Sequence, residues 1–163
     1  MKLVDYTDDD LALSVALETD PVVMAELGGP RPLESIEKVH PRRVSPSADG
    51  GMWLNIVPEG ESEPAGSIGV WWGEWQDTEL WEVGWMLLPQ FHGRGLGSQA
   101  LGMLIERLRE APKFDVVHAF PGASNAPSNG LCRKFGFELL DSGEVAFAGR
   151  PLMVNHWALR LGA

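Results

Sequence analysis

Three glycines at alternate positions, Gly93, Gly95 and Gly97, stand between an apolar stretch at residues 80–88 and a helical pattern at residues 98–109. Glycine takes left-handed backbone conformations at no steric cost, so such a run curls tightly and turns several N–H groups to one side. Those groups lie at the N-terminus of the following helix, where the unpaired amides and the dipole favour an anion. Residues 80–98 therefore predict a strand, an anion-cradling turn and a helix start, with a phosphate or pyrophosphate as ligand. Gly95, Gly97 and Ala100 also match the dinucleotide fingerprint, but that site needs an acid at the end of the next strand. The only acid there, Asp115, is at its start, and about 80 residues precede the unit. A P-loop requires Gly-Lys-Ser/Thr, and Gly97-Ser98 supplies no lysine.

The rest of the chain supplies helices first and strands later. Residues 2–5 read as a strand, and Thr7 followed by three aspartates reads as a capped helix running to about Asp20. Asp20-Pro21 opens a second expected helix, ended by Gly28-Gly29-Pro30, and a third spans residues 33–40, stopped by Pro41. Strands are expected at 52–57, 65–72, 80–88 and 114–120, and a short helix at 128–135 closed by Gly136. The remainder reads as strands around a turn at Gly149-Arg150. The sum is an α/β domain with a mixed sheet of six or seven strands, and at 163 residues one domain, 1–163, is expected.

Composition narrows the classes. Thirteen basic against twenty-three acidic residues give a net charge of -10, which argues against a phosphate-tracking nucleic-acid binder; the acidic field either attracts a cationic or amine-bearing small molecule or simply keeps the protein in solution. Trp71, Trp72 and Trp75, beside Glu74 and Asp77, either pack in the core and on the sheet faces or form a wall for such a cation. A single cysteine, Cys132, leaves no intramolecular disulfide framework, and the four histidines show no ligand spacing, so no metal is expected. The acidic start and the lack of a long apolar run lead to the expectation of a soluble, cytoplasmic protein without a leader or membrane span.

At His92-Gly93-Arg94-Gly95-Leu96-Gly97, preceded by Pro89, the sequence resembles the GNAT superfamily of acyl-CoA-dependent N-acyltransferases, whose signature is Gln/Arg-x-x-Gly-x-Gly/Ala. A second stretch, from Asn125 through a short helix to Gly136-Phe137, resembles another motif of that family. The likeness covers nearly the whole chain and is strongest at residues 82–137. It implies a GNAT fold whose sheet splays at the central strand, acetyl-CoA as co-substrate, and direct acetyl transfer to a small-molecule or peptide amine. It implies that backbone groups of Trp85, Met86 and Leu87 hold the pantetheine. The segment His92, Gly93, Arg94, Gly95, Leu96, Gly97 and Ser98 would take the pyrophosphate, with Asn125, Ser128 and Asn129 near the cofactor. Pairing of final strands in a homodimer is also implied.

Glu82, just before Val83-Gly84-Trp85, is the candidate base, acting through water on the amine; the alternative is a glutamate on a solvated strand face. The backbone N–H of Leu87 is expected to meet the developing oxyanion. Two positions depart from the family pattern. His92 replaces the usual Gln or Arg, and Cys132 stands where many members have a tyrosine acid. Cys132 either donates a proton to the leaving thiolate or only packs. These departures keep open a non-catalytic acyl-CoA-binding regulatory module.

Overall fold

The computed structural model describes residues 1–44, 50–147 and 149–162. Its strands are β1 (Lys2–Asp5), β2 (Met52–Val57), β3 (Gly66–Trp75), β4 (Thr78–Leu87), β5 (Val116–Ala119), β6 (Glu138–Phe147) and β7 (Arg150–Arg160). They form one seven-stranded sheet in the order β1-β2-β3-β4-β5-β7-β6. Only β4 and β5 run parallel; the other neighbours are antiparallel. The helices are α1 (Leu11–Glu18), α2 (Leu33–Val44), α3 (Leu96–Arg109) and α4 (Ala126–Lys134).

One face of the sheet is closed by α3, whose Ala100, Leu101, Leu104, Ile105 and Leu108 recur at helical spacing. They pack with Ile68, Val70, Val83, Val117 and Leu159 into the main core. A smaller cluster of Trp75, Leu80 and Val154 lies apart from it. Residues alternate across β4, so Val83 enters the main core while Leu80, and with it Glu82, leaves on the other face.

The opening that matters is between β4 and β5. Their register holds only at Trp81↔Val117 and Glu82↔His118, yet β4 continues on β3 as far as Gly66↔Leu87. After β5 the chain follows β7 instead: Asn155 N–H donates to the Pro121 carbonyl, and Gly122 bridges Val154. That pairing draws the end of β5 away from β4 and leaves the β5 side of residues 83–87 without a strand.

Three expectations change. The predicted second helix is a single 3-10 turn at Ala25–Leu27. Asp20 Oδ1 does cap it locally, accepting from the Val22 and Val23 amides, but Gly28 and Gly29 take φ of 85° and 95° and end the segment within a few residues. The third helix does not stop at Pro41 but runs to Val44. Its last turn is held from outside, because Arg43 is anchored on Glu18 and Ser14. Finally, β3 and β4 extend to Trp75 and Thr78 around Gln76 and Asp77, both at positive φ. This is the backbone of a two-residue hairpin turn that Asn-Gly ordinarily signals, so the sequence did not announce it.

Candidate active site

A cleft of about 890 Å³ follows the opening in the sheet and continues under α1 and α2. Its first half is lined by Trp85, Met86, Leu87, His92, Gly93, Gly95, Leu96, Gly97, Ser98, Asn125 and Ser128. Gly93 and Gly95 have φ of 77° and 74°, the left-handed turns expected of an anion cradle, and Gly95 is the residue just before α3. Nothing lies within 4 Å of a Cβ built on either, so these glycines serve backbone conformation and leave open space where an anion can approach. Lys134, at the end of α4, reaches across to Ser98 Oγ and brings a cation to the rim. An opened strand leading to amides and a lysine fits an extended, phosphate-ended ligand such as coenzyme A.

His92 does not point into the cradle. Its Nε2 donates to the Leu87 carbonyl at 2.8 Å, tying the turn back to the end of β4. A Cβ on Gly66 would collide with the Met86 carbonyl, so this glycine allows β3 to run tight against the last residues of β4.

Glu82 lines the cleft where the two strands part. Burial pushes its carboxyl up to about 7, while a hydrogen bond from the Trp71 side chain pulls the other way. Two glycines make room for this pair. Gly73 lies below Glu82, where a Cβ would come within 2.9 Å of Oε2, and Gly84 lies below Trp71, where it would come within 2.6 Å of the indole. A carboxyl poised near neutrality in a cleft is able to take a proton from an amine and return it to water.

Other predicted residues are placed elsewhere. Arg94 is exposed over the Phe91 ring and does not line the cleft. Asn129 is buried and fully engaged: Nδ2 donates to the carbonyls of Gly122 and Asn125, and Oδ1 accepts from Asn155 and Trp157. It holds the loop that carries Asn125, whose own Oδ1 caps α4 by accepting from the Ser128 amide. Cys132 is 0% exposed in the main core, and burial pushes its thiol up to about 12. Of the three tryptophans expected to form a wall, Trp71 and Trp72 reach the cleft. Trp75 is buried against Phe120 and His156.

The second half of the cleft escaped the sequence reading. Glu18, Arg31, Arg42, Arg43 and Trp53 line it, with Phe147 from β6. A further cluster lies beside Glu82 on the sheet: His118 Nδ1 is 2.7 Å from His156 Nε2, and His156 Nδ1 is 2.9 Å from Asp141 Oδ1. Burial and the neighbouring His156 hold His118 down to about 4. Three strands contribute these groups, and nothing in their linear spacing joins them.

Fold and cleft together fit an extended, anion-ended co-substrate along an opened sheet, with the Glu82 carboxyl at the opening. The family model described as an acetyltransferase (GNAT) domain matches residues 1–138. The chain belongs to the GNAT acetyltransferase family, whose enzymes acetylate amines. Among solved structures it is similar to aminoglycoside acetyltransferase AAC(6')-Ib in complex with coenzyme A, at 19% identity and TM-score 0.78, covering 98% of this chain and 94% of that one. It is also similar to a phosphinothricin acetyltransferase from Sinorhizobium meliloti in complex with acetyl-CoA, at 21% identity and TM-score 0.78 over 99% and 88% of the two chains. A ribosomal-protein-alanine N-acetyltransferase from Brucella melitensis shares 25% identity at TM-score 0.75, with 98% and 99% covered. No curated protein matches the sequence. Among the described residues, no helix is long and apolar enough to cross a membrane.

Proposed function

We propose that this chain moves the acetyl group of acetyl-CoA directly to a primary amine, with Glu82 as the base. The observation that carries the reading is the placement of two unlike features in one cleft: the Gly93–Gly95 backbone cradle and the half-buried carboxyl of Glu82. Bound acetyl-CoA supplies an activated acyl group, and the protein holds and aligns it. The amides from Gly93 to Ser98 take the pyrophosphate. Backbone groups of Trp85, Met86 and Leu87 line the pantetheine path, with Asn125 and Ser128 on the far side. His92 fixes the Leu87 carbonyl and so sets the end of β4, whose amide faces the charge that grows on the acyl oxygen.

Glu82 accepts the ammonium proton and frees the lone pair that attacks. Cys132, a thiol in the core away from the cleft, packs and takes no part in proton transfer. As the carbon–sulfur bond breaks, the nitrogen sheds its second proton to solvent and the leaving thiolate, with an intrinsic pKa near 8.5, takes one from water.

Melting temperature measured with acetyl-CoA, CoA and NAD at matched concentration tests the co-substrate. Ligand at a hundredfold excess over Kd should stabilise by about 2.7 kcal/mol, a rise of several degrees, for both CoA species and not for NAD. Release of free thiol on adding an amine then separates an enzyme from a regulatory module that only binds. Glu82→Gln should cut kcat about a hundredfold and remove the rise of kcat/KM through pH 7. An unchanged profile would take the base role from Glu82.

A further inference from the structure

Three glycines stand inside the central strands on the face that carries Glu82: Gly69 and Gly73 on β3, and Gly84 on β4. They alternate with Ile68, Val70 and Val83, which enter the main core on the other face. Glycine weakens a strand interior, because it packs no side chain and loses more backbone entropy. Here each one lies under a neighbour that a Cβ would displace. A Cβ on Gly69 would come within 2.6 Å of the Met52 carbonyl and 3.1 Å of the Trp53 ring. One on Gly84 would come within 2.6 Å of the Trp71 ring, and one on Gly73 within 2.9 Å of Glu82 Oε2. Gly69 pairs with Gly84 and Trp71 with Glu82 in register, so the three seats are continuous across the two strands.

Two indoles occupy these seats and end on the carboxyl. Arg43, fixed on Glu18, stands 4.3 Å from the Trp53 ring, and the Trp53 and Trp71 rings are 5.4 Å apart at 41°. Trp71 in turn hydrogen-bonds Glu82. Its Nε1 and Glu82 Oε2 both lie over Gly73, 3.8 and 2.9 Å from the Cβ position there. An indole N–H only donates, so this bond favours the charged form of the carboxyl. It also engages one carboxyl oxygen and so sets where the other points.

We propose that Trp71 is a positioning residue for the transfer reaction: its indole N–H, held by the Gly84 seat and by Trp53, keeps the Glu82 carboxyl aimed into the cleft as acceptor of the amine proton. Without this donor, burial alone acts on Glu82 and keeps it protonated at neutral pH, when it can take no proton. The other groups around the cleft do not replace the donor. His118, the register partner on β5, is held down to about 4 and is uncharged at neutral pH. Arg31 and Arg43 are committed to Glu18, Arg42 is exposed, and Glu26 accepts from Ser124.

The proposal rests on the reading of Glu82 as the base, and the two are tested so that they fail separately. Protein labelled at its glutamate carboxyl carbons is titrated by NMR, with the Glu82 signal assigned by its absence in Glu82→Gln. In Trp71→Phe, which keeps a ring on Gly84 and loses the N–H, the Glu82 carboxyl should titrate at least one pH unit higher than in the wild type. Gly84→Ala, which pushes the intact indole from its seat, should shift the titration in the same direction. Thiol release from acetyl-CoA is then followed with n-butylamine as acceptor. The acidic limb of kcat/KM should move up with the titration in both variants, so that activity falls about tenfold at pH 6 and less than threefold at pH 9. A packing defect alone would lower the rate equally at every pH. Trp71→Phe should add less than twofold to the loss already caused by Glu82→Gln. An unmoved titration, or an equal loss across the pH range, overturns the role of Trp71 and leaves Glu82 as the base. Full activity in Glu82→Gln takes the base role from Glu82, and the role of Trp71 with it. No turnover of the amine by the wild type counts against the transfer reading and leaves the titration to decide the Trp71–Glu82 pair.

Discussion

The two halves of the cleft are built by different means. The cofactor half is made from backbone: two left-handed glycines, a helix start, and a strand stripped of one neighbour. The far half is made from side chains, with Glu18, Arg31 and Arg43 tied in one ion cluster and Trp53 and Trp71 packed at a tilt beneath. A site of amides tolerates change in most side chains around it, since it needs only conformation. A site of side chains can be re-specified one residue at a time, at a risk to the helices it also fastens.

That risk gives the largest expected effect. Glu18→Ala leaves two guanidiniums, 18% and 10% exposed at their side chains, facing each other without their carboxylate. Removing one member of a buried ion cluster costs about 3–5 kcal/mol, which here is reduced by the part of each arginine that meets water. A fall of several degrees in Tm is expected, together with weakened acceptor binding. A Tm equal to that of the wild type would show that the cluster fastens nothing.

The contrast also explains what could be read in advance. The glycine turn, the strand before it and the helix after it are contiguous, so the cofactor half is visible in a dozen residues. The strand order β5-β7-β6 and the parting of β4 from β5 were not legible from periodicity, because each follows from pairing between distant segments; the family resemblance alone implied the splay. The far half joins residues 18, 31, 43, 53, 71 and 147, from six separate stretches. Its one local sign was Arg42-Arg43 beside Pro41, masked by the proline that suggested a helix end. Cys132 and Asn129 were drawn toward the site by the motif that contains them. Position along a helix decided otherwise, because their side chains turn inward.

A smaller effect is expected in the backbone-built half. Gly95 has φ of 74° and open space around its Cβ position, so Gly95→Val meets backbone strain and little collision. A β-branched residue held there costs on the order of 1–3 kcal/mol. The turn relaxes in the free protein and must be forced back to bind, so the loss falls on the co-substrate. Titration should give a Kd for CoA at least tenfold weaker, with acceptor KM at saturating acetyl-CoA nearly unchanged. An equal loss in both constants would mean that the halves are coupled through β4 and that their separate construction does not make them separate in energy.

The smallest effect is found where the halves meet, at Glu82 and its register partner His118. His118 Nδ1 lies 2.7 Å from His156 Nε2, and His156 Nδ1 lies 2.9 Å from Asp141 Oδ1, which links the three side chains across the sheet. Burial holds His118 down to about 4 and lifts Glu82 to about 7, so both stay uncharged in the fold over a range in which both ionise when unfolded. Between about 4 and 6.5 the unfolded chain binds the extra proton at His118, and stability rises with pH. Between about 4.5 and 7 the folded chain keeps the extra proton at Glu82, and stability falls with pH. The two slopes oppose each other across the shared window and flatten the wild-type curve. Glu82→Gln should expose the His118 slope, with Tm falling on acidification from pH 6.5 to 4.5 relative to the wild type. His118→Gln should expose the other, with Tm rising over the same interval relative to the wild type. Parallel curves for all three proteins would mean that water reaches the apex of the cleft freely, and that neither half keeps its charged groups dry.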